Sequence, residues 1–212
     1  MNQKDIKDAV IIGAGHNGLV CAYYLAKAGI NVSIYERRSI VGGAAVTEEF
    51  HPGFKNSVAS YTVSLLNPQI IKDMKLKEYG LHVVKRPISN FLPIDHSNYL
   101  KLGGGLERTQ AEFRRFSIKD AERLPEYYDR IEAVADVLRD LSISTPPNPK
   151  QGIKALLQTA IQAWPIVKKG NQVHKDVYDL FTKSARAFLD SWFENEHVKA
   201  AFGFDSIVGN YA

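Results

Sequence analysis

The chain has 212 residues, 45% of them hydrophobic and 24% charged, with a net charge of +4. That is the make-up of an ordinary globular protein with room for one large domain or two small ones. The basic residues are scattered, in runs no longer than pairs such as Arg37-Arg38 and Lys168-Lys169, without the basic stripe of a nucleic-acid binder, and Cys21 is the only cysteine, which excludes an internal disulfide, a CxxC redox pair and a cysteine-built zinc site.

The apolar run DAVII, 8–12, meets glycine at Gly13 and reads as a buried parallel strand. It is too short for a signal peptide, Asp5 and Asp8 interrupt it, and no later stretch approaches the ~20 apolar residues that span a bilayer, so a cytoplasmic protein is expected. Good helix formers fill 16–28, and Gly29 stands where a C-cap glycine ends a helix. NVSIYE, 31–36, alternates into a second, β-branched strand. Strand, helix and strand together form a compact βαβ unit.

GAGHNG, Gly13 to Gly18, sits where a dinucleotide fingerprint must sit, after the strand and opening the helix. Gly13 permits the tight turn, Gly15 lets a pyrophosphate approach the backbone, and Gly18 lets helix and strand pack closely. The helix N-terminus then offers amide donors and the positive end of its dipole. Glu36 ends the second strand, where a carboxylate accepts from both ribose hydroxyls. Arg37 or Arg38 would serve a 2′-phosphate, but Glu36 would repel that dianion, which argues against NADP. Gly42-Gly43 invites a second backbone approach just past the ribose carboxylate. A longer dinucleotide running back across the sheet needs one, which favours FAD over NAD. His16 could donate to a phosphate or face solvent, and it is not placed to act as a base.

From residue 63 the texture changes. A helix is expected through Leu65 to Tyr79, with Pro68 in its first turn. Three short extended pieces follow, LHVVKRP, NFLPID and NYLKL, and glycines 103–105 close them with a turn. Ser117 opens S-I-K-D, an approximate capping box with Asp120 in place of Glu. Leu124, Tyr127, Ile131, Val134, Leu138 and Leu141 then recur at helical spacing on one apolar face. After PPNP, 146–149, helices are expected at about 152–168, 174–193 and 195–208. The 153–169 helix, with Lys150, Lys154, Lys168 and Lys169 around its apolar stripe, is read first as core and second as a peripheral membrane contact. Trp192 and Phe193 read as core before pocket lining, and Cys21 as a buried small hydrophobe on the first helix. SVASYTVSLL, 57–66, is either a Ser-capped helix start or, through Ser57, Ser60 and Tyr61, part of a flavin lining. The histidines show no HxxxH or HxH spacing, so no metal site is expected.

GAGHNGLVCAYYLAKAG followed by SIYERRSIVGGAA resembles the FAD-dependent amine oxidase and phytoene desaturase superfamily. ERRSIVGGAAVTEE, PGFKNSVASYTVSLLNPQI and LDSWFENEHVKAAFGFDSIVG resemble in particular its carotenoid-oxidoreductase-like branch of pyridine nucleotide-disulphide oxidoreductase domain-containing protein 2. The resemblance covers essentially the whole chain and implies the N-terminal portion of a pattern more than twice as long, inactive alone and exposing apolar faces. It implies an α/β fold: a Rossmann-type FAD-binding βαβ, residues 1–62, followed by the start of a mixed, mainly helical substrate domain, 63–212, with antiparallel strands at about 81–103 and helices at about 106–210. Gly13, Ala14, Gly15, Asn17, Gly18, Glu36, Arg37, Arg38, Gly42, Gly43, Ala44 and Ala45 would contact FAD, with Arg38 on the diphosphate side. The implied reaction is hydride transfer from a small apolar substrate to flavin, with no side chain assigned a catalytic role. The alternatives are a flavin amine oxidase, which shares this N-terminal half, and a non-catalytic interaction fragment or an FAD-free carrier of prenylated partners; in such carriers the fingerprint glycines, intact here, are degraded.

Overall fold

The structure, a computed structural model, describes residues 8–63, 65–146, 152, 157, 159–161, 164 and 167–207. Contacts divide the chain into two units, Met1–Lys85 and Arg86–Ala212.

In the first unit, strand β1 (Ala9–Ile12), helix α1 (His16–Lys27) and strand β2 (Val32–Tyr35) form the expected βαβ unit. The two strands are parallel neighbours, Ala9 opposite Val32 and Ile12 opposite Tyr35. Helix α1 packs on both strands and stops where expected, Gly29 following its C-cap Ala28. Burial of β1 departs from expectation. Val10 is 63% exposed and Ile12 81%, because α1 covers only the face that carries Ile11. Cys21 is likewise exposed rather than buried.

A hairpin that the sequence reading did not anticipate follows, β3 (Thr47–His51) against β4 (Phe54–Ser57), antiparallel with a register shift between Glu49 and His51. The Glu49 carboxylate accepts the Gly53 N–H at 2.8 Å and braces its turn. Beyond it Ser57 caps no helix; its Oγ accepts the Ser60 N–H at 3.0 Å across a bend. Helix α2 (Pro68–Asp73) is shorter than the expected 65–79. Its start is the expected one, with Pro68 in the first turn and Asn67 Oδ1 accepting the Gln69 N–H at 2.9 Å. Its end comes early because Lys75 takes a left-handed φ of 54°, which no helix continues through. Tyr24 Oη donates to Asp73 Oδ2 at 2.8 Å and Tyr23 Oη to the Asp73 carbonyl, tying α2 to α1.

In the second unit, β5 (Asn90–Pro93) and β6 (Tyr99–Leu102) pair antiparallel. The first of the three expected extended pieces, 81–87, which begins in the first unit, forms no strand: the Leu81 N–H instead bonds the Leu76 carbonyl at 2.9 Å, closing the turn after α2. Helices α3 (Leu106–Arg114), α4 (Ile118–Ser142), α5 (Asn171–Thr182), α6 (Ala185–Asp190) and α7 (Glu196–Gly203) follow. The expected helix 174–193 is two helices, because Lys183 is extended and Ser184 caps a new start with its Oγ on the Ala187 N–H at 3.1 Å. The last helix ends at Gly203, with a 3₁₀ turn over Phe204–Ile207. Of the expected 152–168 helix, residues 153–156, 158, 162, 163, 165 and 166 lie outside the described residues, and the membrane-contact reading of 153–169 falls largely on them.

The core of this unit gathers Leu100, Leu102, Phe113, Ala121, Leu124, Tyr127, Trp192, Phe193 and Val198. Trp192 and Phe193 are thus core residues, as read. The Tyr127 ring stands 4.8 Å from Phe202, 5.0 Å from Phe193 and 5.4 Å from Trp192, and burial pushes its phenol up to about 12. Ser117 Oγ accepts the Asp120 N–H at 3.1 Å as a capping residue should. The return arm of the box is absent, since the buried Asp120 carboxylate accepts instead from the Glu194 and Asn195 N–H groups, both at 2.9 Å.

Candidate dinucleotide-binding site

The site begins at the C-terminal end of β1. The Gly13 N–H bonds the Tyr35 carbonyl at 2.7 Å, so the parallel ladder runs up to the turn before the chain leaves it. Ala14 is buried, and both sides of its peptide unit are gripped. Its N–H donates to Glu36 Oε2 at 2.7 Å, and its carbonyl accepts the Gly42 N–H at 2.8 Å. Gly15 is the N-cap of α1 and forms a parallel bridge with Gly42. The first intrahelical bond runs from the Leu19 N–H to the Gly15 carbonyl at 2.9 Å. The amides of His16, Asn17 and Gly18 therefore precede the ladder, at the positive end of the dipole, with no acidic side chain in that turn. His16 and Asn17 are not buried there.

Two glycines in this arrangement have no substitute. A β-carbon on Gly18 would lie 2.2 Å from the Gly13 carbonyl oxygen, so α1 can approach the end of β1 only without one. Gly43 has φ of 58°, and a β-carbon there would fall 2.9 Å from the Gly15 α-carbon. The double glycine is thus needed first by the protein itself: the 42–43 backbone lies directly against the fingerprint loop. Its bareness does not by itself separate NAD from FAD, because Gly15 explains it without a ligand. Ala44 and Ala45 follow in an exposed 3₁₀ turn, and Val46 anchors the far side in a buried position.

Glu36 holds this assembly together. Its other oxygen, Oε1, accepts the Arg38 N–H at 2.9 Å. The Arg38 and Ala14 amides, with smaller help from Arg37 N–H and the Arg38 charge, hold its carboxyl below the usual carboxylate range. A carboxylate has about four acceptor positions, so two backbone donors leave capacity for two hydroxyls. Arg37 is exposed beside it. The Arg38 guanidinium reaches to Glu48 on β3. Glu48 was not anticipated from the sequence; the signal for it was the Gly42-Gly43 pair, whose left-handed backbone turns the chain between the arginines and TEE. The expected site residues of 13–18 and 36–43 take part in, or directly flank, this joint between the fingerprint and the 36–48 loop, Arg37 through its backbone N–H alone, while Ala44 and Ala45 lie exposed beyond it. Among the described residues no cluster of His, Cys, Asp and Glu could hold a metal, and no helix is long and apolar enough to cross a membrane.

Residues 11–75 match the family model of the NAD(P)-binding Rossmann-like domain. Pyridine nucleotide-disulfide oxidoreductase domain-containing protein 2 of Rattus norvegicus is 38% identical over 216 aligned residues, which cover 95% of this chain and 37% of that protein. A limonene dehydrogenase polypeptide of Castellaniella defragrans is 39% identical over 130 residues, 61% of this chain and 24% of the relative. A thiamine thiazole synthase of Metallosphaera sedula matches only 38 residues, at 53% identity. The chain spans well under half the length of the curated relatives it matches. With a Rossmann-like βαβ unit in place and similarity running along nearly all of its residues, the chain belongs to the family of pyridine nucleotide-disulfide oxidoreductase domain-containing protein 2.

Proposed function

We propose that the chain carries the adenosine-diphosphate half of an FAD site in an oxidoreductase that removes hydride from an apolar, polyene- or terpene-like substrate. The observation that carries this reading is the joint at Ala14. Glu36 fixes the loop from one side, Gly42 from the other, and the α1 amides open beside them. Glu36 would take the ribose hydroxyls, the α1 N-terminus and Gly15 the pyrophosphate, and Arg38 the diphosphate side. FAD, when bound, would supply the hydride acceptor. The residues of this chain orient the dinucleotide, and a carboxylate held ionised at Glu36 disfavours a 2′-phosphate.

The name of the limonene dehydrogenase relative supports the apolar substrate, since limonene is a hydrocarbon with no group for a polar pocket to grip. The phytoene desaturase-like reading goes further in the same direction, with a flavin amine oxidase, which would share this N-terminal half, as the alternative.

The test is titration of the chain with FAD, followed by flavin fluorescence, with NAD+ as competitor. FAD should bind, NAD+ should not displace it, and Glu36→Ala should weaken binding at least tenfold. Equal binding by Glu36→Ala would overturn the placement, and preferential NAD+ binding would replace FAD with the shorter cofactor.

A further inference from the structure

The loop that leaves β2 and returns as β3 is closed at its base by one side-chain contact, Arg38 to Glu48. Between them lie Gly42 and Gly43, which dock on Gly15. The backbone of Arg38 is fixed by Glu36 at 2.9 Å, and the backbone of Glu48 by the β3–β4 ladder, opposite Asn56. Between these two anchors the side chains have freedom to lose, the long arginine above all. Both partners are near half exposed, at 46% and 45%, and such a pair contributes only about 0–1 kcal/mol to stability. Its consequence is therefore geometric. Arginine carries about 2 kcal/mol of rotamer entropy and five N–H donors. The contact with Glu48 is made through Nη2, which leaves the Nε and Nη1 donors for a second anion.

We infer that Glu48 is a positioning residue that presents the Arg38 guanidinium to a phosphate anion bound at the fingerprint loop. The inference rests on the dinucleotide reading of that loop and goes beyond it, because Glu48 lies outside the residues expected to contact the ligand and acts through Arg38. Its neighbour Glu49 supplies a charge-matched control. Glu49 carries the same charge one residue away, but its carboxylate is engaged by the Gly53 N–H at 2.8 Å within the hairpin turn.

The experiment compares ADP with adenosine as probes, titrated calorimetrically into the chain and into Glu48→Gln, Glu49→Gln, Arg38→Ala and Arg38→Ala/Glu48→Gln. Glu48→Gln should weaken ADP about three- to tenfold and leave adenosine unchanged. Glu49→Gln should change neither, and Glu48→Gln should add no loss once Arg38 is gone. Equal weakening of ADP and adenosine would make Glu48 a purely structural staple and overturn the inference. So would unchanged or tighter ADP binding by Glu48→Gln, an equal loss in Glu49→Gln, or a further loss in the double variant. A wild-type chain that binds ADP alongside an indifferent Glu48→Gln sinks the inference alone. A wild-type chain that binds neither probe sinks the dinucleotide reading with it.

Discussion

At the scale of single residues, the α1 N-terminus works through groups that are missing. Gly18→Ala places a methyl 2.2 Å from the Gly13 carbonyl oxygen, and backbone at that distance must move. The expected result is displacement of α1 from β1 and loss of nucleotide binding, read as altered amide shifts at Gly13–Leu19. Glu36 makes the complementary prediction with pH. Its folded carboxyl lies below the ordinary value of 4.5, chiefly through the Arg38 and Ala14 N–H bonds. A depressed carboxylate stabilises fully above the unfolded value and loses that contribution as pH falls through the folded one. Hydrogen-exchange protection of the Ala14 amide should therefore hold above about pH 4.5 and fall below it, whereas Glu36→Gln should remove that pH step. The fingerprint glycines and Glu36 were legible in the sequence because their spacing is set by local turn geometry. The Glu36 contact with Ala14 was not, since it joins residues that meet only when β1 and β2 pair.

At the scale of elements, α4 shows how a local fault is corrected from elsewhere. Pro125 lies inside the helix and cannot donate to the carbonyl four residues back, that of Ala121. Gln110 on α3 supplies the missing donor, its Nε2 bonding the Ala121 carbonyl at 2.9 Å. Ala121 is fully buried, so Gln110→Ala should cost about 1–3 kcal/mol by stranding that acceptor. In a Pro125→Ala background the backbone N–H returns and most of the cost should vanish, which a double-mutant cycle in denaturant measures. The periodic stripe of α4 was readable as far as Val134. Leu124, Tyr127 and Val134 are buried, but Leu138 and Leu141 are 39% and 40% exposed, and Val137 faces inward instead. Ideal helical geometry drifts against a repeat of threes and fours, and which face ends up inside depends on what packs there. The β3–β4 hairpin escaped because TEEFH and FKNS are polar and almost wholly exposed on both faces, leaving no hydrophobic alternation to read.

At the scale of the molecule, each unit carries its own balance of burial. The second has a dense aromatic core, in which Phe113 is fully buried and stands 5.7 Å from Phe202 and 6.3 Å from Phe193. Phe113→Ala should cost about 3–5 kcal/mol, seen as an earlier denaturant midpoint in the near-ultraviolet signal of the Tyr127–Trp192 cluster. The first unit is thinner: a two-stranded parallel sheet with helix on one face and Val10, Ile12 and Tyr35 turned to solvent, where parallel sheets ordinarily have both faces covered. From sequence alone came the βαβ unit, the fingerprint and its acidic residue, the helical character of the second half and the inward placing of Tyr127, Trp192 and Phe193. All of these depend on periodicity, turn chemistry and composition within a short stretch of chain. Only the tertiary structure decided that the double glycine is required by Gly15, that Ala14 is held from two sides, that Asp120 serves the start of α7, and that Arg38 meets Glu48. Each of those is a contact between segments separated in sequence, where the partner is selected by packing and leaves no local pattern to recognise.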